Sequence, residues 1–252
     1  MNNSPLVEII YITYNRLAYT KITLPVLLDC NYKNYKITIV DNGSVDGTIE
    51  YLKTIKNKHV KKIVFNKKNK GLVRPTKTFW KESNAKYFGK IDNDILVQKN
   101  FISTLVKAHE KNSKLAILGY CHFRKEDIDY KKLYPKIMNI DNVNLRKQPW
   151  IGGNYIAKSK IIKKHKGYKQ SWKFFKKQTL HGFNRYQNKL TELGFINGYI
   201  ADANKQLFLW EHLDDPRHIY YMKNKDYDIR KLTDDEIVKW YKKDASELLL
   251  KY

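Results

Sequence analysis

Four short apolar runs in the first hundred residues, at 6–13, 36–40, 60–65 and 87–91, each stop at a polar loop rich in Asn, Asp or Gly. Stretches with helical spacing separate them, at 17–29, 45–56 and 71–83. A strand that feeds a helix and then another strand packs parallel to that next strand, so this order points to an α/β fold on a mostly parallel sheet flanked by helices. Pro25 falls late in the first helical stretch, where it is expected to bend or break the helix. Pro75 sits in the first turn of the third, where its missing N–H costs little.

In an open sheet of this kind the ligand crevice lies at the carboxyl ends of the strands. Residues 13–16, 41–44, 66–71 and 92–94 are therefore expected to converge on one edge.

Past residue 100 the pattern predicts a helix over 101–111 and a strand over 115–120, then a charged, irregular stretch over 122–148. A strand-like segment over 150–157 surrounds Gly152-Gly153, helices follow over 158–165 and 182–193, and 233–252 reads as an amphipathic helix opened by the capping box Thr233-Asp234-Asp235-Glu236. A chain of 252 residues suits one α/β domain with a C-terminal extension.

The net charge of +24 invites a polyanionic partner. Only seven of the 49 cationic residues are arginine, they are scattered, and no helix-turn-helix or RNP pattern occurs, so no nucleic-acid partner is expected. Cys30 and Cys121 lie far apart without metal-ligand spacing. No apolar stretch is long enough to span a bilayer, and Met1-Asn2-Asn3-Ser4 does not open a secretion signal. A cytoplasmic location is expected.

Asp92 and Asp94 stand at i and i+2 just beyond the fourth apolar run. Where a strand ends and the chain turns, two such carboxylates reach one cation, directly or through water. Hard divalent cations such as Mg2+ or Mn2+ take these oxygens and share them with phosphates. Asp-x-Asp is common in surface turns; the place at a strand end marks this one.

Taken in order, the loops resemble the family 2 glycosyltransferases of the GT-A fold. Residues 9–16, ending Thr13-Tyr14-Asn15-Arg16, are similar to the family's opening strand and loop. Ile39-Val40-Asp41-Asn42-Gly43-Ser44 with Asp46-Gly47-Thr48 is similar to its most characteristic motif, 66–71 to its Asn-rich segment ending in Gly, and 90–96 to its Asp-x-Asp region. The resemblance implies a Rossmann-like, mostly parallel sheet in which 1–98 form the nucleotide-sugar-binding half, 99–220 the acceptor half and 221–252 a C-terminal helical extension. It implies a nucleoside-diphosphate-sugar donor, a UDP-sugar ahead of GDP- or dTDP-sugars, with Mn2+ or Mg2+. Thr13, Asn15, Arg16, Asn42, Ser44, Asn69 and Gly71 would line the nucleotide pocket and Asp41 would hydrogen-bond the base. Asn93 would contact ribose or close its turn, and Arg74 would reach a phosphate or form a surface ion pair. Asx-turn formation is the competing role for Asn42 and Ser44. Asp92, Asp94 and His212 form the implied metal set, with Asp214 and Asp215 as neighbouring alternatives. Trp150, Gly152, Gly153 and Asn154 are similar to an acceptor-side segment in which glycines admit sugar to the backbone and Trp150 stacks on it. A core tryptophan beside a β-bulge is the equal alternative.

One part of the pattern is broken. The family's acidic pair, at the start of the helix beneath the acceptor, should fall near Gly182-Phe183, and no carboxylate is there. A base beside the acceptor hydroxyl lowers the barrier to transfer. His181, Asp202 and Asp215 are the candidates that remain. The resemblance implies transfer, with inversion, to a glycan or lipid-linked acceptor, as in polysaccharide biosynthesis; the gap admits a silent sugar-nucleotide binder. The C-terminal stretch, with Ile237, Trp240 and Tyr241, would dock on the domain or on a second copy in a homodimer, or make peripheral contact with the inner face of a membrane.

Overall fold

The computed structural model describes residues 4–120, 122–123, 137–147, 151–165, 181–201 and 207–209. β1 (Val7–Thr13), α1 (Leu17–Leu28), β2 (Tyr35–Asp41), α2 (Thr48–Thr54), β3 (Val60–Phe65), α3 (Val73–Glu82) and β4 (Tyr87–Asp92) alternate as the periodicity predicts. After β5 (Ile95–Leu96) come α4 (Phe101–Lys111), β6 (Leu115–Tyr120), β7 (His122–Phe123), β8 (Ile137–Ile140), β9 (Val143–Lys147) and β10 (Asn154–Lys158). The described elements close with α5 (Ser159–Lys164), α6 (His181–Glu192), β11 (Ile196–Ile200) and β12 (Leu207–Leu209).

β1 is buried along its whole length because its two faces meet two separate cores. Val7, Ile9 and Tyr11 pack with Leu24 and Leu27 of α1, Leu52 of α2 and Phe101 of α4. Ile10 and Ile12, on the other face, join Phe79 and Trp80 of α3, Ile161 of α5 and Phe183 of α6. Alternate residues of a strand point to opposite faces, so a continuous apolar run signals helices on both sides. The fold is α/β, a mixed sheet between two helical layers.

The main sheet runs β3-β2-β1-β4-β10-β6-β11-β9-β8. The first four strands are parallel; β10 enters antiparallel between β4 and β6, β11 runs parallel to β6, and the β8–β9 hairpin completes the far edge. β5, β12 and β7 make a second, small sheet. From β1 the chain adds β2 and β3 on one side and then crosses to β4 on the other, which puts the topological switch point between β1 and β4. Register brings Thr13 level with Asp41, and Ile12 level with Asp92, so three carboxyl ends meet there.

Three expectations are corrected. Helix α1 runs unbroken through Pro25, held by Leu24 and Leu27 in the core. Helix α2 starts at Thr48, not 45, because the Asp46 carboxylate accepts from Leu17 N–H and from the Thr48 amide and hydroxyl, holding 45–47 as a loop. The supposedly irregular 122–148 contains the β8–β9 hairpin, whose two-residue turn Asp141-Asn142 has both φ positive, at 47° and 60°. That is the geometry of a type I′ turn, and Ile140-Asp141-Asn142-Val143 was its sequence signal. Among the described residues no helix is long and apolar enough to cross a membrane. The C-terminal extension lies outside the described residues.

Candidate active site

The loops at the switch point are sewn together by short polar side chains. Asp41 is completely buried, and its carboxylate accepts from Gly43 N–H and Ser44 N–H, both 2.9 Å, and from the Ser44 hydroxyl. Ser44 Oγ in turn accepts from Asn15 N–H at 2.9 Å, while Asn15 Oδ1 accepts from Val45 N–H at 2.8 Å. Asn42 Nδ2 donates to Gly71 O and Asn42 Oδ1 accepts from Asn66 Nδ2, so the third loop is joined to the second. Asn69 Oδ1 accepts from Gly71 N–H at 2.8 Å, closing a turn at Gly71, whose φ is +68°.

Asn93 has the same character. Its amide donates to the Thr13 hydroxyl at 3.0 Å and lies 3.4 Å from that of Thr20, its side-chain oxygen accepts from Arg16, and its carbonyl accepts from Thr23. Asp41, Asn42, Ser44 and Asn93 thus set the shape of the crevice through bonds within the protein, and all four are buried. Tyr14 and Val45, which carried no sequence signal of their own, are exposed beside them.

Each carboxylate of the Asp-x-Asp triplet faces a cation. Arg16 donates to Asp94 Oδ2 at 2.7 Å, and Lys90 donates to Asp92 Oδ1. Lys90 and Asp92 are i and i+2 on one strand and so share a face, a signal that the loop motifs overlooked. Burial pushes the Asp94 carboxyl up to about 6; the Arg16 guanidinium opposes the rise and the Asp92 charge adds to it. Two neighbouring carboxylates with oxygen donors suit a hard divalent cation, and their joint charge equals the charge such an ion brings. Asp92 and Asp94 would hold it. Among the described residues no cluster of three His, Cys, Asp or Glu side chains forms, and His212 and Asp215 lie outside them.

The segment after β9 reaches the same place. Asp92 N–H donates to Gly153 O at 2.8 Å, and the Asp92 carboxylate rests against the Gly153 α-carbon. Gly152 N–H donates to the Tyr199 hydroxyl, and the fully buried Asn154 accepts from Tyr120 N–H. Trp150 and Asp202 lie outside the described residues. His181 is the first residue of α6, whose first turn is without acidic residues. With Asn66 and Lys70, Arg74 lines a cavity of about 240 Å³ between α3 and the β2–β3 face, which Lys62 and Glu82 also line.

A profile of glycosyl transferase family 2 matches residues 8–208. The chain belongs to glycosyl transferase family 2. An uncharacterised glycosyltransferase of Haemophilus influenzae is 30% identical over 121 residues, covering 47% of this chain and 37% of that protein. The chain therefore spans well under half the length of this curated relative. A mannosyltransferase of Pyrobaculum calidifontis, solved with GDP-Man and Mn2+, superposes with a TM-score of 0.61 at 14% identity, covering 95% of this chain and 70% of that one. GalNAc-T7, solved with UDP, GalNAc and Mn2+, gives 0.60 at 13% identity over 83% of this chain and 44% of that one. The family 2 chain has the GT-A fold.

Proposed function

We propose that this family 2 chain transfers a sugar from a nucleoside diphosphate to a glycan or lipid-linked acceptor with the help of a divalent cation, Mn2+ or Mg2+, that Asp92 and Asp94 would hold. A UDP-sugar is the favoured donor, ahead of GDP- and dTDP-sugars. The observation that carries the reading is the meeting of three strand ends at the switch point, Thr13 level with Asp41 and Asp92 level with the neighbouring Ile12, with Asp94 paired to Arg16 beside them. Solved relatives of the fold with GDP-Man or UDP and Mn2+ support it.

When bound, the cation neutralises charge developing on the diphosphate. The acceptor oxygen bonds to the anomeric carbon as the bond to the diphosphate breaks, the bonding pair leaves with the nucleoside diphosphate, and the hydroxyl proton passes to a base. An in-line course inverts the anomeric centre. His181, at the start of α6, is the base we favour over Asp202 and Asp215, and His212 is the third metal ligand we propose. Thr13, Asn15 and Asp41 frame the nucleotide side, and Gly152 with Gly153 forms the acceptor-side wall. Residues 1–98 serve as the donor half, 99–220 as the acceptor half, and 221–252 as an extension that docks on the domain.

The test is release of nucleotide from a panel of UDP-, GDP- and dTDP-sugars with Mn2+ or Mg2+. Turnover that needs the cation and disappears in Asp94→Ala is expected; turnover that survives the substitution sinks the assignment. A second reading, a silent sugar-nucleotide binder, rests on the missing acidic residues in the first turn of α6. Nucleotide binding without turnover on any acceptor would favour it.

A further inference from the structure

We infer that the carboxyl end of β3 and the loops beside it form a docking surface for an anionic lipid bilayer. The docking stands apart from the transfer reading above; only its consequence for the acceptor rests on that reading.

Positive charge is concentrated there. No acidic residue stands between Glu50 and Glu82, and 11 of those 31 residues are Lys or Arg, against 49 of 252 in the whole chain. A general excess of lysine does not account for that density. Lys61 and Lys62 are paired with Glu8 and Glu82, and Lys70 donates to the neutral Asn66 carboxamide. Lys67, Lys68, Lys77 and Lys81 are exposed, and among the described residues no carboxylate pairs with them. Lys77 and Lys81, at i and i+4 of α3, share one face of that helix.

Apolar side chains stand among these cations. Val45 is 88% exposed, Phe65 40% and Leu72 37%. Their loops adjoin: Asn42 bonds to Gly71 O and to Asn66, and a methyl added to Gly43 would lie 3.1 Å from both Asn66 O and the Lys68 α-carbon. One exposed apolar residue is ordinary, whereas three on adjoining loops, ringed by cations, mark a contact surface.

Chemistry selects the partner. The lysines draw in any polyanion, with a pull that salt screens. Aliphatic Val45 and Leu72 offer no stacking face to a nucleic-acid base. At a bilayer the same side chains leave water at the headgroup boundary while the lysines lie level with anionic phosphates. The loop that carries Val45 also carries Asp41, so docking brings the nucleotide-sugar crevice beside the lipid. Of the two acceptor classes, glycan and lipid-linked, this selects the lipid-linked one.

Cosedimentation of the full chain with vesicles tests this, using phosphatidylcholine alone and phosphatidylcholine mixed equally with phosphatidylglycerol. Binding to the mixed vesicles only, weakened by added salt, is expected. Lys67→Glu with Lys68→Glu should lose on the order of tenfold or more in affinity. Lys33→Glu with Lys107→Glu, an equal change of charge at exposed sites away from this rim, should lose much less. Phe65→Ser with Leu72→Ser should weaken binding and leave its salt dependence unchanged. Equal losses from the two charge pairs, or full binding by the serine pair, would overturn the docking. So would binding of polyuridylic acid, lost on replacing Lys67 and Lys68, by a chain that ignores vesicles. Vesicle binding by a chain inert towards every nucleotide sugar upholds the docking and sinks the transfer reading. Nucleotide-sugar turnover by a chain that binds no vesicles sinks the docking alone.

Discussion

The Asp92 carboxylate lies so close to the Gly153 α-carbon that a methyl group built there would come within 1.8 Å of Asp92 Oδ2. The glycine on β10's approach therefore decides where a carboxylate of β4 points. Gly153→Ala is expected to push Asp92 out of line and away from Lys90, with turnover falling on the order of 100-fold. A crystal structure of the variant would show the displaced side chain. Unchanged Asp92 geometry and unchanged turnover together would dismiss this role.

Asp41 offers a second contrast. Its carboxylate holds three donors of its own turn, so Asp41→Ala should lower stability by about 3 kcal/mol as well as weaken nucleotide binding. Asp41→Asn keeps an acceptor oxygen and should cost about half as much. Denaturant titration beside nucleotide titration checks both. A normal unfolding curve for Asp41→Ala with nucleotide binding abolished would assign the carboxylate to the base alone.

His109 makes stability depend on pH. The ring is buried, with Nδ1 3.2 Å from Leu115 O and Nε2 2.8 Å from Ile156 O, and burial lowers its pKa from 6.5 to about 4. Between those values the unfolded chain binds the proton and the folded chain does not. The contribution is complete above pH 6.5 and is lost as pH falls towards 4, about 3 kcal/mol in all. Unfolding free energies of the unsubstituted chain and His109→Gln at several pH values should converge over this window. Parallel curves would count against it.

The Asp141-Asn142 turn should respond to backbone freedom. Asn142 has φ +60°, a value at which glycine is unstrained and a β-branched residue is not. Asn142→Gly is expected to be neutral or slightly stabilising, and Asn142→Val to cost about 1–2 kcal/mol. Thermal melts of the two variants decide it, and equal melting points would remove the turn as a source of stability.

Periodicity is local information, and it located the elements well where it was strong. The bounds of β3, α4 and β6 fall where the apolar spacing places them, at 60–65, 101–111 and 115–120. It was weak at the β8–β9 hairpin, where the signal was a two-residue turn among charged neighbours, and at the start of α2, where a carboxylate bond to Leu17 holds the loop open. In the site, strand ends and motifs placed Thr13, Asp41, Asp92 and Asp94 on one edge, yet they did not reveal that Asp41, Asn42, Ser44 and Asn93 are buried in bonds to the loops.

The amino-acid order alone determined the succession of strands and the loops that close them, because a strand's faces and a helix's stripe are written in neighbouring residues. Only the tertiary structure decided which side chains face each other across those loops. Arg16 meets Asp94 from 78 positions away, and Asp92 settles on Gly153 only because β10 enters antiparallel beside β4. Such pairings depend on sheet register and on a gap the size of a missing methyl group.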